Sequence, residues 1–298
     1  MGIYETIKRL EELRKKLRVC AGVPLAFIVI QFLAPLMFWR DDSNRATGMM
    51  YFLVLVTVVL GVGAFIRMSA YSKEYKALYK LTFVTGILGE LFDDVFYDWE
   101  HGFTTEAVRE FGLVKLGNRF HTEDYLSASY KGIHFTQADV RIQYHSSSGK
   151  SSHTTTYFSG RMFVFDNPLK KVFSVQVFSD NFRYRAGNPN GFKMNKIELE
   201  SVAFNKAFDV KAVQDIDAFY MLTPQMIERL TMIRNQYGNL GVHFSGDKIF
   251  VGINCGLKAF DGSITRKIDY NTEREQARQD SLVIINLIET LKLMSEQM

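Results

Sequence analysis

Residues 19–39, VCAGVPLAFIVIQFLAPLMFW, and residues 48–66, GMMYFLVLVTVVLGVGAFI, contain no charged side chain. Each is close to the ~20 residues that an α-helix needs to cross a hydrocarbon core about 30 Å thick. In lipid a single segment can satisfy its own backbone hydrogen bonds only as a helix, so both runs are constrained to that form. A pair of buried core helices is the soluble alternative, and the short connection between the runs argues against it. A cleaved signal peptide also fits poorly, because the first run exceeds an ordinary signal core and a second follows at once. The pattern predicts a transmembrane helical hairpin over residues 19–66. The chain's mean hydropathy of −0.05 hides this segregation.

The basic residues set the expected orientation. Lys8, Arg9, Arg14, Lys15, Lys16 and Arg18 precede the first span, and Arg67, Lys73, Lys76 and Lys80 follow the second. The connection offsets Arg40 and Arg45 with Asp41 and Asp42. The positive-inside tendency therefore predicts that both termini are cytoplasmic. The first 18 residues carry six basic and three acidic side chains. Anionic lipid headgroups account for that excess. Beyond residue 46 the charges nearly balance, which excludes a broad nucleic-acid footprint.

Five segments are predicted. Residues 1–18 place Ile3, Ile7, Leu10, Leu13 and Leu17 at helical spacing, an amphipathic cytosolic helix that lies on the inner leaflet or packs on a later helix. Residues 19–66 are the hairpin, and 67–92 continue in helical rhythm through Tyr71, Tyr75, Leu78, Tyr79 and Phe83 as a stalk. Residues 93–271 read as a cytosolic α+β domain. From about residue 124, YLSASYKGIHFTQADVRIQYH, TYFSGRMFVFD and KKVFSVQVFSD are strand candidates. NFRYRAGNPNGFK is a loop, and KIELESVAFNKAFDV and DIDAFYML continue the sheet pattern. Thr104 and Thr105 cap a short helix, while Thr223 and Pro224 open another with Met226, Ile227, Leu230 and Ile233 as its stripe. Ser245-Gly246-Asp247 joins a hairpin. Residues 272–298 form a C-terminal amphipathic helix with Leu282, Ile285, Ile288, Leu291 and Leu293 inward. The order implies a largely antiparallel sheet with flanking helices.

Candidate chemistry is sparse. SSSGKSS, residues 146–152, invites a phosphate loop, but G-x-x-x-x-G-K-[ST] needs glycine at 144, where Tyr144 stands, and a strand-like run follows where a helix should begin. It reads as a polar connection between strands. Asp93, Asp94, Asp98 and Glu100 lack the glycine and spacing of a cation loop and read as a solvated or capping face. His145 and His153 can approach across a hairpin without a third ligand. Cys20 and Cys255 build no disulfide framework, and Cys255 reads as a buried structural thiol. Gly61 and Gly63 read as helix-packing positions. Phe158, Phe163, Phe165, Phe173 and Phe178 read as core, with an aromatic-lined groove as the alternative. No catalytic, cofactor-binding or metal residue is assigned, and no cofactor is implied.

Four stretches occur in a recognisable order: EDYLSASYKGIHFTQADV (123–140), YFSGRMFVFD (157–166), FNKAFDVKAVQDIDAFYMLTPQMIERL (204–230) and VHFSGDKIFVGI (242–253). Over roughly residues 80–262 they resemble the bacterial membrane-anchored family known only as domain-of-unknown-function family three-one-three-seven. The resemblance supplies no reaction and no catalytic residue. It implies that Phe158, Gly160, Phe204, Phe208, Thr223 and Pro224 are fold determinants: strand packing, a close backbone approach and a helix start. It places the chain in the bacterial cytoplasmic (inner) membrane as a multi-pass protein. By association it suggests a LemA-type membrane protein as partner. The expected role is a membrane-anchored cytosolic interaction or assembly protein in contact with the bilayer and with itself or another membrane protein. The alternatives are a membrane-tethered small-ligand-binding or enzymatic domain with an aromatic-lined pocket, and a lipid-interacting domain steered by the basic arm.

Overall fold

The structure, a computed structural model, describes residues 2–38, 43–149, 151–167, 173–256 and 259–291. Arg40, Asp41, Asp42, Lys150, Pro168 and Leu293 lie outside them. The chain divides into two compact units, Met1–Gly86 with Asp261–Gln276, and Ile87–Phe260 with Ala277–Met298.

The first unit is built on two long helices, α1 (Ile3–Phe38) and α2 (Ser43–Tyr79). The amphipathic arm and the first apolar run are thus one continuous helix. Leu10, Leu13 and Leu17 are buried, as are Tyr75 and Tyr79 of α2. Leu10, Leu13 and Leu17 of the arm's stripe thus pack within protein, while Ile3 is 58% exposed. Arg9 Nη2 reaches Glu74 Oε1 at 2.7 Å across the helix pair, and Lys16 sits over the Tyr71 ring. The segment 261–276 clasps both: Arg18 donates to the Thr265 carbonyl at 2.6 Å, and the Ile268 amide donates to Glu11 at 2.6 Å. The Tyr79 hydroxyl donates to Glu273, which also binds Arg266.

Helix α2 runs through a π-turn at Lys80–Val84 into α3 (Thr85–Leu91). One described helical run, Tyr51–Leu91, is long and apolar enough to cross a membrane, with a mean hydropathy of 2.2 in an apolar window of which 0% is buried. The expected pair of spans is therefore only partly seen. Much of the first span falls on side chains outside the described set, at 23–27 and 30–38. A Cβ added at Gly61 or Gly63 would meet nothing within 4 Å, so neither glycine packs closely within this chain.

The second unit is an α+β fold around one nine-stranded antiparallel sheet. Its order is β1 (Asp93–Asp98), β2 (Arg119–Tyr130), β3 (Ile133–Ser148), β4 (Ser151–Asp166), β9 (Lys248–Ile253), β8 (Leu240–Ser245), β5 (Val175–Ser179), β7 (Phe208–Ala212) and β6 (Asn195–Ile197). The single run read from residue 124 is two strands. Lys131 and Gly132 turn between them with φ of 48° and 79°, the positive values a two-residue hairpin of this twist requires. SSSGKSS is the tip of the β3–β4 hairpin, with Ser148 paired to Ser151 and Gly149 at φ 52°, a strand turn as expected. Asp93–Asp98 forms an edge strand, and Asp98 caps the turn after it by accepting from the Glu100 and His101 amides.

Two stretches expected to extend the sheet are partly helical. VAFNKA forms α5 (Val202–Ala207), begun by Ser201 accepting from the Phe204 amide, and DIDAFYM forms α6 (Asp215–Met221) with two acids in its first turn. Those acids favour the positive end of the helix dipole, and each stretch is too short for period to separate helix from strand. The remaining helices are α4 (Thr105–Glu110), α7 (Pro224–Tyr237) and α8 (Tyr270–Leu291). Thr104 and Thr223 cap α4 and α7 through their hydroxyls.

The sheet's two faces differ. On one, Ala138, Val140, Ile142, Phe158 and Met162 join Phe103, Val108, Phe111 and Leu113 in an apolar core. The opposite face of β2, β3 and β4 is divided: Leu126, Ala128, Phe135, Phe163 and Phe165 are buried at one end and polar side chains occupy the other. Helix α8 lies across part of it, held by Arg161 to the Asp280 carbonyl (2.7 Å) and Tyr130 to Glu289 (3.1 Å). Gly160 of β4 has no room for a side chain: a Cβ would stand 2.0 Å from the Ile253 carbonyl oxygen. This is the close backbone approach implied for it. Phe204 and Phe208 stack at 4.5 Å in the core beside β7.

Candidate functional site

The β2–β3–β4 register assembles a polar grid. Arg119 pairs with Gln143, and Gln143 with Thr156. One row down, His121 pairs with Arg141, and Arg141 with Ser159. In the next row Glu123 pairs with Asp139, and Asp139 with Arg161. Cross-strand partners share a face, as do residues two apart along β2 and β3, and the bulge opposite Ile142 and Gln143 brings Thr156 onto the face of Ser159, so nine polar side chains project together from one side of the sheet.

The third row is buried. Arg161 is held by Gln137 Oε1 at 3.0 Å and by the Asp280 carbonyl, with its Nε 3.9 Å from Asp139 Oδ1. Its guanidinium lies over the rings of Phe163 (5.1 Å) and Phe260 (5.6 Å). Asp139 Oδ2 accepts from the Ala259 amide at 2.7 Å, and Gln137 donates to the Asp124 carbonyl. Asp124 sits at the β2 bulge with φ 63°. Such a network fixes α8 and the 259–260 segment on the sheet, because leaving any member unpaired in a low dielectric is costly.

The first two rows are open. Arg119, His121 and Arg141 are exposed, and His121 stands 3.5 Å from Glu123. Between the open and buried rows lies a shallow, solvent-open depression lined by His121, Glu123, Asp139, Val140, Arg141, Ser159 and Gly160. It is polar. Phe158, Phe163, Phe165 and Phe178 are core residues, while Phe173, also expected inside, is 43% exposed.

A second cluster looks catalytic and is sealed. His243 Nδ1 lies 2.8 Å from the Phe111 carbonyl, and its Nε2 lies 2.8 Å from Ser174 Oγ. A carbonyl only accepts, so Nδ1 carries the proton and the Ser174 hydroxyl donates to Nε2. Burial pushes the imidazole down to about 4, opposed by the bond to Phe111. Both residues are 0% exposed, so this Ser–His pair meets no substrate and serves as a satisfied polar joint in the core. His243 was not among the sequence candidates; its place amid GVHF in an apolar strand was the available signal.

Other candidates separate. His145 and His153 occupy neighbouring rungs of the β3–β4 hairpin, where His145 Nδ1 contacts Thr154 Oγ1 and the backbone is clasped by Asn118. Among the described residues no three His, Cys, Asp or Glu side chains group to hold a metal. Cys255 is exposed, which corrects its reading as a buried thiol: β9 ends at Ile253, and the chain turns at Gly256 with φ 70°.

The motifs that carry the resemblance lie on β2–β4, β7, α7 and the β8–β9 hairpin. Residues 153–293 match the model of the family described as "Protein of unknown function (DUF3137)". The family suspected from the motifs is the one found. The match begins within β4 and runs past the end of α8, later at both ends than the motif span of 80–262. No curated protein matches the chain. A solved structure, the crystal structure of the mycobacterial trehalose monomycolate transport factor A, TtfA, aligns at 8% identity and a TM-score of 0.31 over 65% of this chain and 88% of that one. A likeness that slight bears on neither fold nor function.

Proposed function

We propose that the protein is a membrane-anchored cytosolic interaction or assembly protein. Two spans, 19–39 and 48–66, tether the sheet unit, and both termini face the cytoplasm of a bacterial inner membrane. The observation that carries the reading is the surface of α2, where Phe52, Leu55, Val58, Val59, Val62, Phe65 and Ile66 are all exposed. Water would penalise such a surface heavily, and lipid or a partner helix would not. The clasp of α1 by Glu74 and by the 261–276 segment supports a hairpin whose ends return to one side. Gly61 and Gly63, with open space over each, offer positions for a second copy or another membrane protein, a LemA-type protein being the association the family suggests.

Exposed Cys255 is a native topology probe. In a Cys20→Ser background, a membrane-impermeant maleimide should label it only after permeabilisation; labelling in intact cells would overturn the orientation. Copurification from native membranes followed by native mass spectrometry tests assembly. A strictly monomeric species with nothing bound would count against it.

A further inference from the structure

The open end of the polar grid collects cations that the fold does not neutralise. Arg141 stands directly opposite His121 across the β2–β3 pair, and Arg119 is its diagonal neighbour. Diagonal positions on adjacent antiparallel strands are roughly 7–8 Å apart, within reach of two arginine side chains converging on one group. Among the described residues neither the Arg119 nor the Arg141 side chain forms an ion pair, hydrogen bond or ring contact. Arg161, one row away, is by contrast fully engaged with Gln137, the Asp280 carbonyl and two rings.

From this geometry we propose that the first two rows form a binding site for a phosphate monoester. Arg119 and Arg141 supply planar donor forks that match a tetrahedral oxyanion. His121 and Ser159 supply further donors around the same depression. The site's limits select its ligand's size. Two rows across three strands span about 10 Å at ~4.8 Å between strands, enough for one phosphate group. Glu123 and Asp139 close the inner end with negative charge and repel an extended polyanion. The ligand is thus a compact phosphate with one substituent leaving toward solvent. A lipid headgroup and a soluble metabolite share that chemistry.

The test uses the full-length protein in detergent at low ionic strength, with titration calorimetry against inorganic phosphate, glycerol 3-phosphate and short-chain phosphatidic acid. Three proteins are compared: the unaltered chain, the Arg119→Gln/Arg141→Gln variant, and a charge-matched control, Lys193→Gln/Lys196→Gln. The expected result is binding by the unaltered chain and the control, weakened at least tenfold in the arginine variant with its thermal transition retained. Tighter binding of phosphatidic acid than of glycerol 3-phosphate assigns the site to a lipid; equal affinities assign it to a soluble ligand. No binding of any probe to the unaltered chain overturns the proposal, as does equal weakening in the lysine control, which would reduce the effect to net charge. If the arginine variant loses its thermal transition, the single Arg141→Gln variant replaces it under the same criteria.

Discussion

Acidification should unlock the second unit through His243. In the folded chain its imidazole titrates at about 4 rather than the ordinary 6.5, because burial penalises the cation more than the Phe111 carbonyl favours it. A base with a depressed folded value binds its proton more readily when unfolded. Its contribution to stability is therefore complete above pH 6.5 and is lost as pH falls toward 4. The whole gap corresponds to ~3 kcal/mol at 1.36 kcal/mol per unit. Between pH 7 and pH 5 the loss from this one residue is about 2 kcal/mol, a sizeable part of the 5–15 kcal/mol typical of a domain.

The assay compares the unaltered protein with His243→Asn, which keeps an amide donor for the Phe111 carbonyl and cannot be protonated. Denaturant unfolding of both, followed by intrinsic fluorescence at half-unit steps from pH 7.5 to 5, yields two curves of stability against pH. The variant will be less stable at pH 7.5, since asparagine fills the site imperfectly. The decisive quantity is the difference in slope. The unaltered protein should lose up to about 1.4 kcal/mol more per pH unit below 6.5, the consequence of one proton taken up on unfolding. Parallel curves would refute the reasoning, for they would mean that the buried ring is not the group resisting protonation.

Gly160→Ala should prevent normal folding or lower stability by ~3 kcal/mol or more, because the new methyl would collide with the Ile253 carbonyl; a thermal transition within 2 °C of the unaltered protein would contradict the strand packing described. Arg161→Ala should cost roughly 3–5 kcal/mol by stripping Gln137 and the Asp280 carbonyl of their donor beside a buried carboxylate, and hydrogen exchange should rise first along α8. Thr223→Ala should cost about 1 kcal/mol through loss of the α7 cap, with Thr223→Ser restoring most of it in the same melt.

What could be read from the sequence divides by the range of the interactions involved. The capped starts of α4 and α7 and the Ser-Gly-Asp hairpin depend on neighbours within a few residues, and they stand where Thr104, Thr223 and Gly246 placed them. VAFNKA shows where local signals fail. Six residues hold less than two helical turns, so the Ser201 cap was the only clue against a strand, and the β7 ladder starts immediately at Phe208. The polar grid was out of reach for a different reason. In β3 alone, Gln137, Asp139, Arg141 and Gln143 alternate with Ala138, Val140 and Ile142, which is the pattern of any half-solvated strand. Nothing in that strand distinguishes Asp139, 5% exposed, from exposed Arg141. The difference comes from α8 and residues 259–260, over a hundred positions later in the chain, which cover one end of the face and leave the other open. Register adds a second obstacle. The bulges between Glu123 and Leu126 and between Ile142 and Gln143 decide which side chains meet across strands, and a slip of one residue would send each set to the opposite face. The placement of one late helix thus turns an ordinary strand pattern into a face with a buried row of Glu123, Asp139 and Arg161 and an open basic end, and that asymmetry makes the open end a candidate for binding phosphate.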